Sequence, residues 1–286
     1  MTASWPQELV VAGDELSEWM GEKVSFLDVS LGFLPWHVGE VPAAIGMLRK
    51  LTKLSGQDSP YLRLPDEIGD LIGLKQFQFT GVNLGSLPET IGSWTNLHSF
   101  SATHAGLCSL PESVGDWHNV KTITLSGNRL SSLPDSFAKL EGLETVLLDK
   151  NNFGPDPSTV APIADLKSVE TINLSGNGLR ALPPNFGQLR PHRLSLSRNY
   201  LDDEALELAD GSLSSVRHLS LDYNRLSEIP DFVFGCQSLE TLSIRFNIVS
   251  SIQGDIRDAL PNLRKIRVGG NSRLRMHERL EPVVVD

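Results

Sequence analysis

The chain has 286 residues, of which 40% are hydrophobic and 21% are charged, and it carries a formal net charge of −10. This composition supplies enough apolar side chains for a folded core and excludes a disordered chain. The acidic excess argues against a general nucleic-acid binder, and two cysteines exclude a disulfide-rich secreted scaffold.

The N-terminal residues 1–23 precede the repeating part of the sequence. Ser4 is suited to begin a helix, Pro6 to its first turn and Gly21 to its end, so we predict a helical cap over residues 1–23. The segment is acidic and has no long apolar stretch, which predicts a protein without a secretory signal peptide. We therefore expect a cytoplasmic protein, although one delivered into a host cell as an effector would look the same.

From residue 24 onward the sequence repeats with a period of about 23 residues. The clearest copies are VKTITLSGNRLSSLP (120–134), VETINLSGNGLRALP (169–183) and VRHLSLDYNRLSEIP (216–230). The pattern LxxLxLxxNxLxxLP defines positions 1 to 15 of each copy. Position 1 falls at Val24, Leu51, Leu74, Leu97, Val120, Leu143, Val169, Pro191, Val216, Leu239 and Leu263. A regular internal repeat of this kind predicts a solenoid over residues 24–274.

Alternating apolar and polar residues predict a short strand in each copy, with positions 4 and 6 facing inward. Position 9 is asparagine in seven copies, from Asn128 to Asn271. A buried amide at the end of a strand can bond the backbone of its own and the neighbouring copy, so we predict an asparagine ladder. Val82 and Ala105 take this position in the third and fourth copies, which predicts a less regular ladder there.

The segments that link the strands are also similar to one another. Three of them are LPDEIGDL (64–71), LPETIGSW (87–94) and LPESVGDW (110–117). Trp94 and Trp117 take the place of the final leucine of this segment, so we predict core residues rather than binding-site aromatics.

The eighth copy lacks the leucine–proline pair. Its sequence LDDEALELADGSL spans residues 201–213, and the spacing of its apolar residues predicts a helix capped by Asp202 or Asp203. Its acidic residues lack the spacing of a calcium loop and predict a solvated flank. Residues 275–286 are predicted to be a C-terminal tail or a weak cap.

These copies resemble leucine-rich repeats. Their length and the LPxxIGxL linker are similar to the intracellular class found in Ras-group plant proteins, animal Ras-pathway scaffolds and many bacterial proteins. The resemblance covers residues 24–274. It implies an α/β solenoid, a leucine-rich repeat horseshoe with a parallel β-sheet on the concave face and about eleven repeats. It also implies binding of other molecules by the strand face and its flanks.

No enzyme signature is present in the sequence, which lacks GxxxxGK[ST], HExxH and CxxC motifs. Cys108 and Cys236 lie about five repeats apart, too far for a disulfide at about 4.8 Å per strand. Cys108 follows a core leucine and is predicted to be an inert structural thiol. We therefore predict a chain that is not an enzyme and has no catalytic residues, cofactor or metal.

The outward strand positions 2, 3, 5, 7 and 8 differ in charge along the repeats. In the first seven copies, four basic residues accompany five acidic ones, whereas the last four copies carry seven basic residues beside Asp222 and Glu240. The seven are Arg193, Arg198, Arg217, Arg245, Arg264, Lys265 and Arg267. Charges alternate in sign at position 2, so part of this excess is expected to pair between neighbouring strands.

Position 8 is Arg198, Tyr223 and Phe246 in three consecutive copies, a composition favoured at interface hot spots. The predicted partner-binding residues are Arg193, Arg198, His218, Tyr223, Arg245, Phe246 and Arg267. We thus predict a non-catalytic protein–protein interaction module that binds an acidic or aromatic-rich protein surface on the basic C-terminal half of the concave face. A merely solvated face is the alternative interpretation.

Three other functions stay open at this point. One is the substrate-recognition module of a bacterial effector or ligase whose catalytic part is elsewhere. Another is a regulator of a small GTPase or phosphatase, and the third is a receptor for a small anionic ligand or polysaccharide. In each case we expect a monomer that binds neither nucleic acid nor membrane.

Overall fold

The computed structural model describes residues 3–4, 26–28, 39, 41, 43–58, 61–208, 212–252 and 256–274. The chain divides into two compact units, Met1–Thr145 and Val146–Asp286. Apart from Ala3 and Ser4, the predicted N-terminal cap lies outside the described residues, and so does the predicted tail at 275–286.

The strands of the first unit are parallel and lie side by side in chain order. They are β1 (Ala3–Ser4), β2 (Phe26–Asp28), β3 (Lys53–Gln57), β4 (Gln76–Thr80), β5 (Ser99–Thr103) and β6 (Thr122–Thr124). Ser4, predicted to begin a helix, is the last residue of β1 and pairs with Asp28. The inward residues stay in register, since Leu54 faces Phe77 and Phe77 faces Phe100.

Strand β7 (Thr145–Leu147) begins at the division between the units. The following strands are β8 (Thr171–Asn173), β9 (Arg193–Ser195), β10 (His218–Ser220), β11 (Thr241–Ser243) and β12 (Lys265–Arg267). Strands β8 to β12 are parallel and again follow chain order. Each strand from β2 to β12 begins at position 3 of its predicted copy, which confirms the repeat register.

Short helices return the chain from one strand to the next. The 3-10 helices of the first unit are Ala43–Met47, Asp66–Asp70, Glu89–Ser93, Glu112–Asp116 and Asp135–Lys139. Those of the second unit are Pro157–Asp165, Phe186–Gln188, Glu204–Leu206 and Asp231–Gly235, followed by an α-helix at Ile256–Ala259. Among the described residues, no helix combines the length and the hydrophobicity needed to cross a bilayer.

The helix predicted over 201–213 is shorter than expected in its described part. Only Glu204–Leu206 is helical, because Glu207 already leaves helical backbone with φ −69° and ψ 75°. Asp202 does cap it, since its Oδ1 accepts a hydrogen bond from the Ala205 N–H at 3.0 Å. Asp203 instead accepts from the backbone and hydroxyl of Ser227 in the next repeat.

Trp94 and Trp117 are core residues, as predicted. Both are buried, and their Nε1 groups donate to the carbonyls of Ile68 at 2.9 Å and Ile91 at 2.8 Å. Their rings stack with centroids 6.2 Å apart, and Phe77 lies 5.3 Å from Trp94. The hydrogen bonds satisfy the indole N–H groups, which allows these large rings to fill the core of the first unit.

The asparagine ladder is present as predicted. In Asn177, Nδ2 donates to the carbonyls of Leu148 at 3.1 Å and Leu174 at 2.8 Å, while Oδ1 accepts from the Asn151 N–H at 2.9 Å. Equivalent bonds recur at Asn128, Asn199, Asn224, Asn247 and Asn271. Where the amide is missing, backbone groups substitute for it: the Leu84 N–H donates to the Ala105 carbonyl.

The two cysteines are free thiols, and Cys108 is exposed rather than structural. Leu107 points into the core, so the next side chain points outward. Burial raises the pKa of the Cys236 thiol to about 11, so its reactive thiolate is scarce near neutral pH. At about pH 8 we expect Ellman's reagent to titrate one thiol per folded chain and two in guanidinium. Two rapidly reacting thiols in the folded chain would contradict this assignment.

Candidate functional site

Position 8 adopts a left-handed backbone in each of the ten copies that the structure describes there, from the second to the eleventh. Four of these residues are glycines, and the other six have φ between +52° and +57°. The six are Asp58, His104, Lys150, Arg198, Tyr223 and Phe246. A residue with a side chain pays roughly 1–2 kcal/mol for this conformation. Two adjacent aromatic residues here are therefore not explained by backbone preference, and such outliers point to function.

The position-8 residues of copies eight to eleven form a continuous stack. The Arg198 guanidinium carbon lies 4.2 Å from the centroid of the Tyr223 ring, and the Phe246 ring stacks on Tyr223 with centroids 4.2 Å apart. Gly270 ends the stack, because a Cβ at that position would lie 2.4 Å from the Phe246 ring. Contacts of this kind restrict the side-chain rotamers, which lowers the entropy cost of binding a partner.

A second row lies at position 10, on the other side of the buried asparagines. Here the Arg225 guanidinium carbon lies 4.7 Å from the centroid of the Tyr200 ring, and Ile248 follows in the next copy. This row was not predicted from the sequence, because only strand positions were expected to point outward. The signal was available, since position 9 is buried and its two neighbours must then point away from the core.

The side chains of both rows are exposed on either side of the buried asparagines, and we call them together the edge patch: Arg198, Tyr200, Tyr223, Arg225, Phe246 and Ile248. Among the described residues of the second unit, the large hydrophobic side chains that are exposed are all in this patch. Their exposed fractions are 49% for Tyr200, 38% for Tyr223, 45% for Phe246 and 60% for Ile248. Contiguous exposed apolar side chains of this kind mark interaction sites.

The remaining predicted residues line a groove of about 480 Å³ on the strand face of the second unit. We call it the strand groove; Arg193, His218, Arg245 and Arg267 contribute to its walls. Its other lining residues include Thr171, Asn173, Ser195, Ser220, Thr241 and Ser243. The structure thus separates the seven predicted residues into four in the groove and three on the edge patch.

Arg245 is already used inside the fold. Its Nε and Nη2 donate to Asp222 Oδ2 at 3.0 and 2.8 Å, and its backbone N–H donates to Oδ1 at 2.8 Å. Ser243 Oγ donates to the same Oδ1 at 2.6 Å. The hydrogen bond and the charge of Asp222 raise the pKa of Arg245. The charge of Arg245 is thus paired within the fold, and its use by a partner stays a prediction.

The charge alternation predicted at position 2 is present as ion pairs between neighbouring copies. Lys121 lies 2.9 Å from Glu144, and Arg264 lies 3.7 Å from Glu240. In contrast, Arg193 and Arg267 form no ion pair with another described residue. Within the described ranges, no group of three or more metal-ligating side chains lies together.

Strands at a constant repeat register, short returning helices and a ladder of buried amides define a solenoid repeat protein. A family model described as leucine rich repeat matches residues 214–272, and a second with the same description matches 119–140 and 168–189. The chain is a leucine-rich repeat protein. No protein with a curated description is similar to it in sequence.

Solved structures share the fold at low sequence identity. Toll, from the Drosophila Toll–Spatzle complex, is 20% identical with a TM-score of 0.71, over 90% of this chain and 37% of that one. An internalin from Listeria monocytogenes is 14% identical with a TM-score of 0.57, over 84% and 77%. The plant peptide hormone receptor RGFR1 is 20% identical with a TM-score of 0.58; the match covers 96% of this chain and 58% of the receptor chain.

Proposed function

We propose that the chain is a non-catalytic protein-binding module that holds its partner on the strand face of the second unit. The observation that carries this proposal is the strand groove, which Arg193 and Arg267 line together with several hydroxyl side chains. Guanidinium groups bind carboxylates through charge-assisted hydrogen bonds, so the groove suits an acidic partner surface.

The groove is ordered before binding. Ser195 and Ser220 are bonded to serines of the preceding copies at 2.7 Å each, and Asp222 holds Arg245 in place. Side chains that are already fixed lose little conformational entropy when a partner binds. Because Arg245 is neutralised within the fold, Arg193 and Arg267 carry the attraction in this proposal.

Structures with the same fold support a binding role. The plant hormone receptor was solved in complex with RGF2, and Toll was solved in complex with Spatzle. The intracellular class of repeat, residence in the cytoplasm and a monomeric state stay predictions. The identity of the bound protein will distinguish an effector or ligase substrate from a GTPase or phosphatase.

Reversing the charge of both groove arginines is expected to abolish partner capture. The variant R193E/R267E should lower recovery of the bound protein from an extract of the native host by about tenfold or more, since repulsion replaces two charge-assisted contacts. Quantitative mass spectrometry of the captured proteins measures this. The matched control is K75E/R129E, which makes the same change in charge at exposed residues of the first unit.

A protein captured equally by wild type and R193E/R267E would show that the groove is not the binding surface. If K75E/R129E loses capture to the same extent, the loss comes from the change in net charge and not from the groove. If the wild-type chain enriches no protein more strongly than an unrelated solenoid does, the proposed function itself is contradicted.

A further inference from the structure

We infer that the edge patch holds an acidic protein segment that carries aromatic or leucine side chains. This inference rests on the proposed function and extends the interface from the strand groove to the edge where the strands end. Its two rows, at positions 8 and 10 of copies eight to ten, flank the buried asparagines Asn199, Asn224 and Asn247. The patch therefore adjoins the hydrogen-bonded ladder of buried amides.

The geometry of the rings decides which chemistry fits them. Strand β10 lies between β9 and β11, so Arg198 and Phe246 cover opposite faces of Tyr223. The outer face of Phe246 is covered by Gly270, where a Cβ would have no room. A nucleobase or sugar that needs a free ring face cannot stack on Tyr223 or Phe246. The exposed ring edges and the Ile248 side chain instead suit the apolar side chains of a protein segment.

The charge of the patch is positive. Arg198 and Arg225 are both exposed, and no acidic residue occupies position 8 or 10 of these three described copies. A guanidinium over a ring face still has N–H groups directed away from the ring, and these can bond a carboxylate. On the strand side the nearest acidic residue, Asp222, is buried and bonded to Arg245. On the other side, Asp203 accepts hydrogen bonds from the backbone and hydroxyl of Ser227. The patch therefore offers two carboxylate contacts beside its apolar side chains.

The left-handed backbone provides a way to remove the ring without damaging the fold. Replacing Phe246 by glycine loses the ring but relieves the unfavourable φ of +55°. Lys150→Gly makes the same change at the same position of an earlier copy, where φ is +57°. Ile248→Ser tests position 10, where the side chain is mostly exposed. We expect each variant to change the melting temperature by less than about 5 °C.

The experiment uses a phage-displayed library of random dodecapeptides, selected on the full chain. Peptides enriched by wild type are expected to combine Asp or Glu with Phe, Tyr, Trp or Leu. Fluorescence anisotropy with the best synthetic peptide should show affinity reduced about tenfold or more in F246G and in I248S, and by less than about twofold in K150G. Added salt should weaken binding, because two arginine contacts contribute.

Three results would overturn the inference. Enriched peptides without acidic residues would show that the arginines do not select the segment. Equal affinity of the peptide for wild type, F246G and I248S would show that the edge patch does not bind it. A library that yields no peptide dependent on the patch would also overturn it. Peptide binding lost only in R193E/R267E would place the segment in the strand groove, which overturns this inference while the proposed function stands.

Discussion

Replacing Asp222 with alanine is expected to lower the free energy of unfolding by about 2–4 kcal/mol. The Asp222 side chain is only 8% exposed, and it accepts hydrogen bonds from the Ser243 hydroxyl and from the backbone and guanidinium of Arg245. The alanine variant leaves those donors without their acceptor and a guanidinium without its counter-charge. Urea denaturation followed by circular dichroism measures the loss.

The control for Asp222 is an exposed ion pair. Glu144 lies 2.9 Å from Lys121, and both side chains are about half exposed. Glu144→Ala should therefore change stability by less than about 1 kcal/mol. Arg245→Ala should be destabilising as well, since it strands a buried carboxylate, and the double variant should lose less than the sum of the single losses. Additive losses would mean that Asp222 and Arg245 do not stabilise the fold as a pair.

Replacing Asn224 with alanine is expected to cost about 2–4 kcal/mol, because buried groups lose their hydrogen-bond partner. Its Nδ2 donates to the carbonyls of Leu196 and Leu221 at 3.0 Å each, and its Oδ1 accepts from the Leu201 N–H at 3.1 Å. The same variant should weaken peptide binding at the edge patch, since Tyr223 and Arg225 flank this residue. Denaturation and anisotropy measure the two effects separately.

Two further variants test the ladder directly. Asn224→Asp keeps the shape and the acceptor but loses the donor to both carbonyls, so it should be nearly as destabilising as alanine. Asn152→Ala removes an exposed asparagine from the position next to the ladder and should cost less than about 0.5 kcal/mol. An aspartate variant as stable as wild type would refute the argument that the ladder depends on amide donors.

Stabilising and binding residues alternate closely on the strand face. Arg245 stabilises the fold through Asp222, whereas the neighbouring Arg193 and Arg267 have no such bond to a described residue. At position 8 the opposite holds, because Tyr223 and Phe246 lower stability there. Both occupy a backbone conformation that glycine adopts more easily. Mutational scans that measure both stability and binding will separate the stabilising residues from the binding residues. A scan of stability alone would detect Arg245 but not Phe246.

The repeat period by itself determined the fold, the strand register and the core. Every copy must bury the same apolar positions against its neighbours and bond the same backbone groups at its turn, so short-range sequence carries the information. Eleven strands therefore begin at the same position of their copies. The register even places Asp222 and Arg245, both at position 7, side by side, although charge pairing was predicted only at position 2.

Only the tertiary structure decided how the side chains of the second unit are used. In the structure Arg245 pairs with Asp222. The guanidinium of Arg198 lies over the Tyr223 ring, and that of Arg225 lies over the Tyr200 ring. Ile248 is exposed in the same row as Tyr200 and Arg225. The physical reason is that the repeat sets where each Cα lies, whereas the direction of a long side chain depends on what the next copy offers it. A carboxylate in that copy forms an ion pair with the side chain. A ring face or a glycine instead leaves the side chain stacked and exposed on the surface.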